Sequence, residues 1–165
     1  MSPRSRATQV GVISDTHGLL RPEAIDALRG SDLILHGGDV GKPEVLESLK
    51  AIAPVVAVRG NNDSGPWADA LAVSEIVELG SVALYLLHDV AELDLDPAAA
   101  EIAAVISGHS HRPSAEVRDG VLFLNPGSAG PRRFTLPVAL ARLEIRGETL
   151  RPKLIELLVG SGARR

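Results

Sequence analysis

The chain has 165 residues, 45% of them apolar and 23% charged, with a formal net charge of −4 at pH 7. That is the composition of an ordinary globular domain, not of a disordered, fibrous or membrane-embedded chain. It contains no cysteine, which excludes disulfide frameworks, thiolate zinc sites, iron–sulfur ligation, cysteine nucleophiles and thiol redox switches. Any metal must be held by nitrogen and oxygen, so His17, His36, His88, His109, His111 and the acids near them are where chemistry is sought.

The N-terminus is basic, but the apolar stretch 10–13 is too short for a signal-peptide core, and no run of about 18 apolar residues exists. The expectation is a single cytoplasmic domain over 1–165, flexible at about 1–7 and 160–165, with no membrane contact. Mild acidity argues against stable nucleic-acid binding, which needs clustered Lys and Arg. The chain has 14 Arg against 3 Lys, and Arg132-Arg133 and Arg164-Arg165 are the only adjacent pairs.

In chain order, apolar runs at 9–14, 33–36, 55–59, 75–79, 82–88, 103–107, 121–124 and 138–145, each bounded by Gly, Pro, Asn or Asp, predict strands. Between the early ones, Pro22 opens a helix over 23–28. Pro43 opens another over 44–52, with Val45, Leu46, Leu49 and Ile52 on one stripe. The first half therefore alternates strand and helix, as parallel βαβ units do. The second half is mostly strand, and turn signals at Leu79-Gly80-Ser81 and Arg118-Asp119-Gly120 predict hairpins. A mixed α/β domain with two sheets, or one large mixed sheet, follows.

The apolar runs end on chemistry-bearing residues. They lead into Asp15-Thr16-His17, Gly38-Asp39, Gly60-Asn61-Asn62-Asp63, His88-Asp89 and Gly108-His109-Ser110-His111. Taken singly, each reads as ordinary turn composition. The His109/His111 pair is the most specific, because an i, i+2 spacing in extended backbone puts both imidazoles on one face. Taken together, four of five histidines, two acids and an Asn stand at strand ends, and loops beyond strand carboxyl ends form the ligand crevice of open α/β sheets. All are hard or borderline donors, and seven exceed what one three-ligand catalytic site needs. Two divalent ions are expected.

In order and approximate spacing, these motifs resemble the calcineurin-like metallophosphoesterases, whose pattern is D-x-H, G-D, G-N-H-D/E, H and G-H-x-H. The short chain and Leu124-Asn125-Pro126-Gly127-Ser128 are similar to the small prokaryotic, YfcE-like phosphodiesterase branch. The resemblance spans 15–128 and implies a four-layer αββα sandwich, two mixed β-sheets flanked by helices, with a dinuclear site at the strand ends. It assigns Asp15, His17, Asp39 and His111 to one ion and Asp39, Asn61, His88 and His109 to the other, with Asp39 as the bridge. The implied activity is phosphodiester hydrolysis by in-line attack of a metal-bridging hydroxide. Mn²⁺ is the first choice of ion; Ni, Fe, Co and Zn also suit these donors. The implied substrate is a small phosphodiester or nucleotide-like molecule, and a homo-oligomer is compatible with this reading.

The family pattern often has His where this chain has Asn62. An amide donates a hydrogen bond but is no general acid at neutral pH, so good leaving groups should be favoured. Asp63 is expected to orient a ligand and His36 to lie buried near the site without coordinating. Arg132 and Arg133 could reach a substrate phosphate or could be solvated surface residues. Trp67 could stack on a substrate ring, although packing is the simpler role, and the acidic stretch 92–96 reads as a solvated loop. A P-loop is excluded, since Pro43 follows Gly41-Lys42. The rival of another class is a noncatalytic metal-binding scaffold of the same fold that binds protein partners.

Overall fold

The computed structural model describes residues 7–133 and 135–159. The expected tails at 1–7 and 160–165 lie outside the described residues except for Ala7, which is buried. The Arg164-Arg165 pair also lies outside them.

Two mixed five-stranded sheets form the body of the molecule. In the first, β1 (Thr8–Ile13), β2 (Leu33–His36) and β3 (Val55–Ala57) run parallel, while β9 (Ala139–Arg146) and β10 (Thr149–Glu156) extend it antiparallel beyond β1. In the second, β5 (Val82–Leu87), β6 (Ala104–Ile106) and β8 (Val121–Asn125) run parallel. The hairpin partners β4 (Ser74–Leu79) and β7 (Ser114–Arg118) flank them as antiparallel edges. The parallel part of the first sheet is made by the βαβ half of the sequence. Both turn signals, at Gly80 and at Asp119-Gly120, join hairpin strands.

The inner faces meet in one apolar layer, in which Val10, Val12, Leu35, Leu84, Leu86, Ile106 and Leu143 are essentially inaccessible to solvent. Each such aliphatic side chain contributes about 1.5–3 kcal/mol on leaving water. Helices α1 (Pro22–Leu28) and α2 (Pro43–Lys50) cover the outer face of the first sheet. They set Ala24, Leu28, Val45, Leu46 and Leu49 against Ile13, Ile34 and Leu140. Neither helix has a side-chain N-cap; each opens on proline and carries a glutamate in its first turn, which favours the helix start through fixed φ and the macrodipole. The outer face of the second sheet is covered more thinly. Tyr85, Leu87, Val105 and Val121 pack under Ile102, Leu93 and Leu95 of an irregular connection with one 3₁₀ turn at Val90–Glu92.

The fold's elements differ from expectation mostly at their ends. The strand expected over 55–59 stops at Ala57, with Val58 forming an isolated bridge to Ala72. The helix expected over 44–52 ends at Lys50, three residues before Ala53, where Pro54 disfavours helical backbone. A one-turn helix, α3 (Pro66–Asp69), follows β3; its Trp67 is partly buried against the helix-side core, the packing role. Among the described residues no helix is long and apolar enough to cross a membrane.

Register brings the site together. Ile13, His36 and Ala57 are lateral neighbours across β1, β2 and β3, and Leu86 and Ile106 are neighbours across β5 and β6. The loops that follow these strands leave side by side at one edge of the sandwich. Backbone bonds tie them: Asp15 N donates to Gly38 O (2.9 Å), His17 N to Asp39 O (2.9 Å) and Gly108 N to His88 O (2.9 Å).

Candidate metal centre

Five of the seven expected ligands have left-handed backbone: Asp15 (φ 57°), His17 (48°), Asp39 (55°), His109 (71°) and His111 (65°). Non-glycine residues adopt this region at a cost of about 1–3 kcal/mol each, and such strain clusters at functional sites. The chain turns sharply at each of these positions. The loops also pack too closely for side chains at two glycines: a Cβ on Gly108 would strike Ser14 and the Asp15 carboxylate, and one on Gly60 would strike Asp39.

Asp15 is fully buried. Its Oδ2 accepts from Ser14 Oγ (2.7 Å) and from His109 N (3.0 Å). Its Oδ1 has no hydrogen-bond partner, yet three imidazole nitrogens face it: His111 Nε2 at 3.3 Å, His17 Nε2 at 3.8 Å and His88 Nε2 at 3.9 Å. His17 Nε2 and His111 Nδ1 are likewise buried without partners. Orphaned polar atoms of this kind are costly in a finished interior. Asp15 Oδ1 and His17 Nε2, 3.8 Å apart, fit a cation between them.

Asp39 stands opposite. Its Oδ2 is 3.3 Å from His88 Nε2 and 3.8 Å from His17 Nε2, a position that touches both expected ligand sets. Asn62 braces it from outside, donating N–H to Oδ1 (2.8 Å) and its amide Nδ2 to Oδ2 (3.2 Å). Two donor groups close to within 4.8 Å: Asp15, His17 and His111 form one, Asp15, Asp39 and His88 the other. Asp15 is thus common to both, while Asp39 reaches across to His17.

Burial alone would favour neutral carboxyls at Asp15 and Asp39, but surrounding imidazoles and hydrogen bonds outweigh it. Asp15 is pulled below the ordinary carboxylate range by His111, Ser14 and the charge of His88. Asp39 is pulled to about 2 by His88 and the Asn62 backbone. At His88 burial works against the charged ring, yet the bond to Asp39, the Gly37 carbonyl and the two carboxylates raise it to about 9. His88 Nδ1 donates to Gly37 O (2.7 Å), because a carbonyl can only accept. That leaves Nε2 directed at Asp39 as the atom that could take a cation.

His109 and Asn61 stand further out. His109 is nearly half exposed, with Nδ1 3.3 Å from His88 Nε2 and Nε2 3.7 Å from Asp89 Oδ2. Asn61 is exposed and lines the same cavity as His88 and His109. The structure therefore gathers Asp15, His17, Asp39, His88 and His111 tightly and sets Asn61 and His109 at the rim.

The remaining expected residues fall into distinct places. His36 is completely buried; burial lowers it to about 4. Thr16 Oγ1 donates to Val40 O (2.8 Å), so it accepts from His36 Nε2 (3.0 Å), and His36 Nδ1 accepts from Gly38 N (3.1 Å). A neutral Nε2–H ring thus braces the Asp15 and Asp39 loops without coordinating. Asp63 accepts from Gly60 N (2.9 Å), Gly41 N (3.0 Å) and Val40 N (3.2 Å), which ties the Asp39 loop to the Asn61 loop. Arg132 and Arg133 are exposed, Arg132 Nε donating to Leu136 O (3.4 Å), and neither lines the cavity beside the centre.

Three supporting residues escaped the motif reading. Ser14 holds Asp15. Ser128 Oγ donates to Asp15 O (3.0 Å), and Asn125 Nδ2 donates to Gly108 O (2.9 Å) and Ser110 Oγ (3.1 Å). Asn125 and Ser128 stood in the quoted Leu124–Ser128 segment, where Asn and Ser at a strand end signal loop bracing.

Comparison with known proteins agrees with this geometry. Residues 9–148 match the family described as the calcineurin-like phosphoesterase superfamily domain. A probable metallophosphoesterase of Methanothermobacter thermautotrophicus is 36% identical over 158 residues, covering 88% of this chain and 91% of that protein. Among solved structures, Vps29 of Chaetomium thermophilum superposes with a TM-score of 0.81 at 20% identity, over 95% of this chain and 92% of that one. An archaeal phosphodiesterase does so with a TM-score of 0.74 at 23% identity, over 90% of this chain and 100% of that one.

Proposed function

Because the chain belongs to the calcineurin-like phosphoesterase superfamily, we propose that it is a metal-dependent phosphodiesterase with a dinuclear centre at the carboxyl edge of its two sheets. The observation that carries this reading is the buried, partnerless Asp15 Oδ1 ringed by three imidazole nitrogens, with Asp39 opposite. Asp15, His17, Asp39 and His111 would hold one divalent ion, and Asp39, Asn61, His88 and His109 the other. The ions, when bound, supply positive charge to the phosphoryl oxygens and acidify water at neutral pH.

The protein's own part is to hold donors in the charge state that cations need. Asp15 and Asp39 stay ionised, and His88 releases its Nε2 proton on ligation. Asn62 holds Asp39 and can donate a hydrogen bond to a substrate oxygen, but it has no proton to give a departing alkoxide. Accordingly we propose diesters with stable leaving groups, small or nucleotide-like, with Mn²⁺ as the working ion and a cytoplasmic setting.

Hydrolysis of bis(p-nitrophenyl) phosphate with Mn²⁺ tests the proposal. Wild type should turn over and Asp39→Asn should lose at least about a hundredfold, as expected when a metal ligand is removed. Equal background rates in both would favour the noncatalytic scaffold that binds protein partners.

A further inference from the structure

Beside the centre, at the carboxyl end of β5, lies a cavity of about 330 Å³. This is the low end of small-molecule sites. His88, His109 and Asn61 form its inner wall, so a phosphoryl group on the centre would project one of its alcohol groups into it. The floor is apolar, from Tyr85 and Leu87 on the outer face of the second sheet and Val73 beside them. The remaining wall is Asp89, Glu92 and Asp94, from the connection that covers this sheet.

The charge balance of the cavity is one-sided. Apart from the imidazoles of the centre, its one cationic side chain among the described residues is Arg59, whose Nη1 lies 3.5 Å from Asp69 Oδ1. Asp89 is fixed by accepting from Ala91 N (3.0 Å), and Glu92 and Asp94 are exposed. Three carboxylates thus face the space in which the substrate's alcohol group would sit. The Arg132-Arg133 pair, one candidate anion reader, does not line it.

We propose that this cavity is the alcohol-group subsite of the phosphodiesterase and that its acidic wall selects neutral and cationic alcohol groups over anionic ones. The inference rests on the phosphodiesterase reading and sharpens it to a substrate class: small diesters carrying an ammonium or uncharged group against an apolar floor. Nucleoside polyphosphates and other polyanions are disfavoured. A unit charge about 8 Å from a carboxylate in water-like surroundings changes an equilibrium about twofold, so three carboxylates give about tenfold at low salt, screened as salt rises.

The test uses three p-nitrophenyl phosphodiesters whose second alcohols are choline, its uncharged isostere 3,3-dimethylbutanol, and an anionic 3-sulfopropanol. For the Mn²⁺-loaded protein, kcat/KM should fall in that order, with at least about tenfold between the extremes at low salt. Glu92→Gln with Asp94→Asn should narrow the ratio, and Glu92→Lys should narrow it further or invert it. An order that is flat, or indifferent to these changes, overturns the proposal. Calorimetric binding of the corresponding free phosphate monoesters separates the two levels. A choline preference in binding without turnover of any diester would sustain the subsite and defeat the phosphodiesterase reading, and equal binding of all three would defeat the subsite.

Discussion

At Asn62 the chemistry of the centre is narrowed by one side chain. Its backbone and amide both point at Asp39, so the residue holds the carboxylate where an acid group would protonate a leaving oxygen. The hydrolysis rate should therefore fall steeply as the leaving alcohol becomes more basic, and Asn62→His should flatten that dependence by raising rates for alkyl esters. A series of p-nitrophenyl, phenyl and ethyl diesters measures it; an unchanged slope in the variant would refute the role. The five residues that the structure gathers, Asp15, His17, Asp39, His88 and His111, were legible because Asp and His recur directly after apolar runs. Their braces were not. Ser14, Thr16 and Asn125 act through a few side-chain hydrogen bonds to partners 1 to 24 residues away, and nothing in composition or periodicity distinguishes such a residue from an ordinary loop residue.

The loops, as elements, are held by side chains that never meet substrate. Asp63 accepts three backbone N–H groups from two loops. Bonds to a charged acceptor contribute about 1.5–3 kcal/mol each and are not additive. Asp63→Ala should cost on the order of 3 kcal/mol and loosen the Asp39 and Asn61 loops together. Thermal unfolding with a metal titration checks both, and normal stability with normal metal affinity would contradict this assignment. The βαβ half and the internal strands of the second sheet were legible from apolar runs. β7 and β10 were not, for a common reason. β7 is exposed at every residue, and β10 is an edge strand that tolerates Pro152 because one of its sides needs no ladder. β7 has no buried face, and in β10 the few apolar contacts, Leu150 and Ile155, are interrupted by Arg, Pro and Lys, so neither carries a clear periodicity.

For the molecule as a whole, the buried imidazoles link stability to pH and metal. His36, lowered to about 4, takes up a proton only when the chain unfolds, so stability should drop as pH falls from about 6.5 to 4. His88, raised to about 9 in the metal-free protein, has the opposite sign. Its contribution is complete below 6.5 and is lost as pH rises through 9. Metal-free protein should therefore be most stable near neutrality. Saturating Mn²⁺ should raise the melting temperature and abolish the alkaline decline, because ligation needs His88 without its Nε2 proton. Melting curves from pH 5 to 9 with and without Mn²⁺ check it, and identical profiles would count against the ligand set.

The most direct measurement is a stoichiometric one. Protein stripped with chelator is titrated with Mn²⁺ while bound metal and bis(p-nitrophenyl) phosphate hydrolysis are followed together. Activity rising from background to a plateau as two ions bind per chain, with both lost in Asp39→Asn, is the result predicted. Two ions bound without hydrolysis, or hydrolysis that is complete without metal, would contradict it.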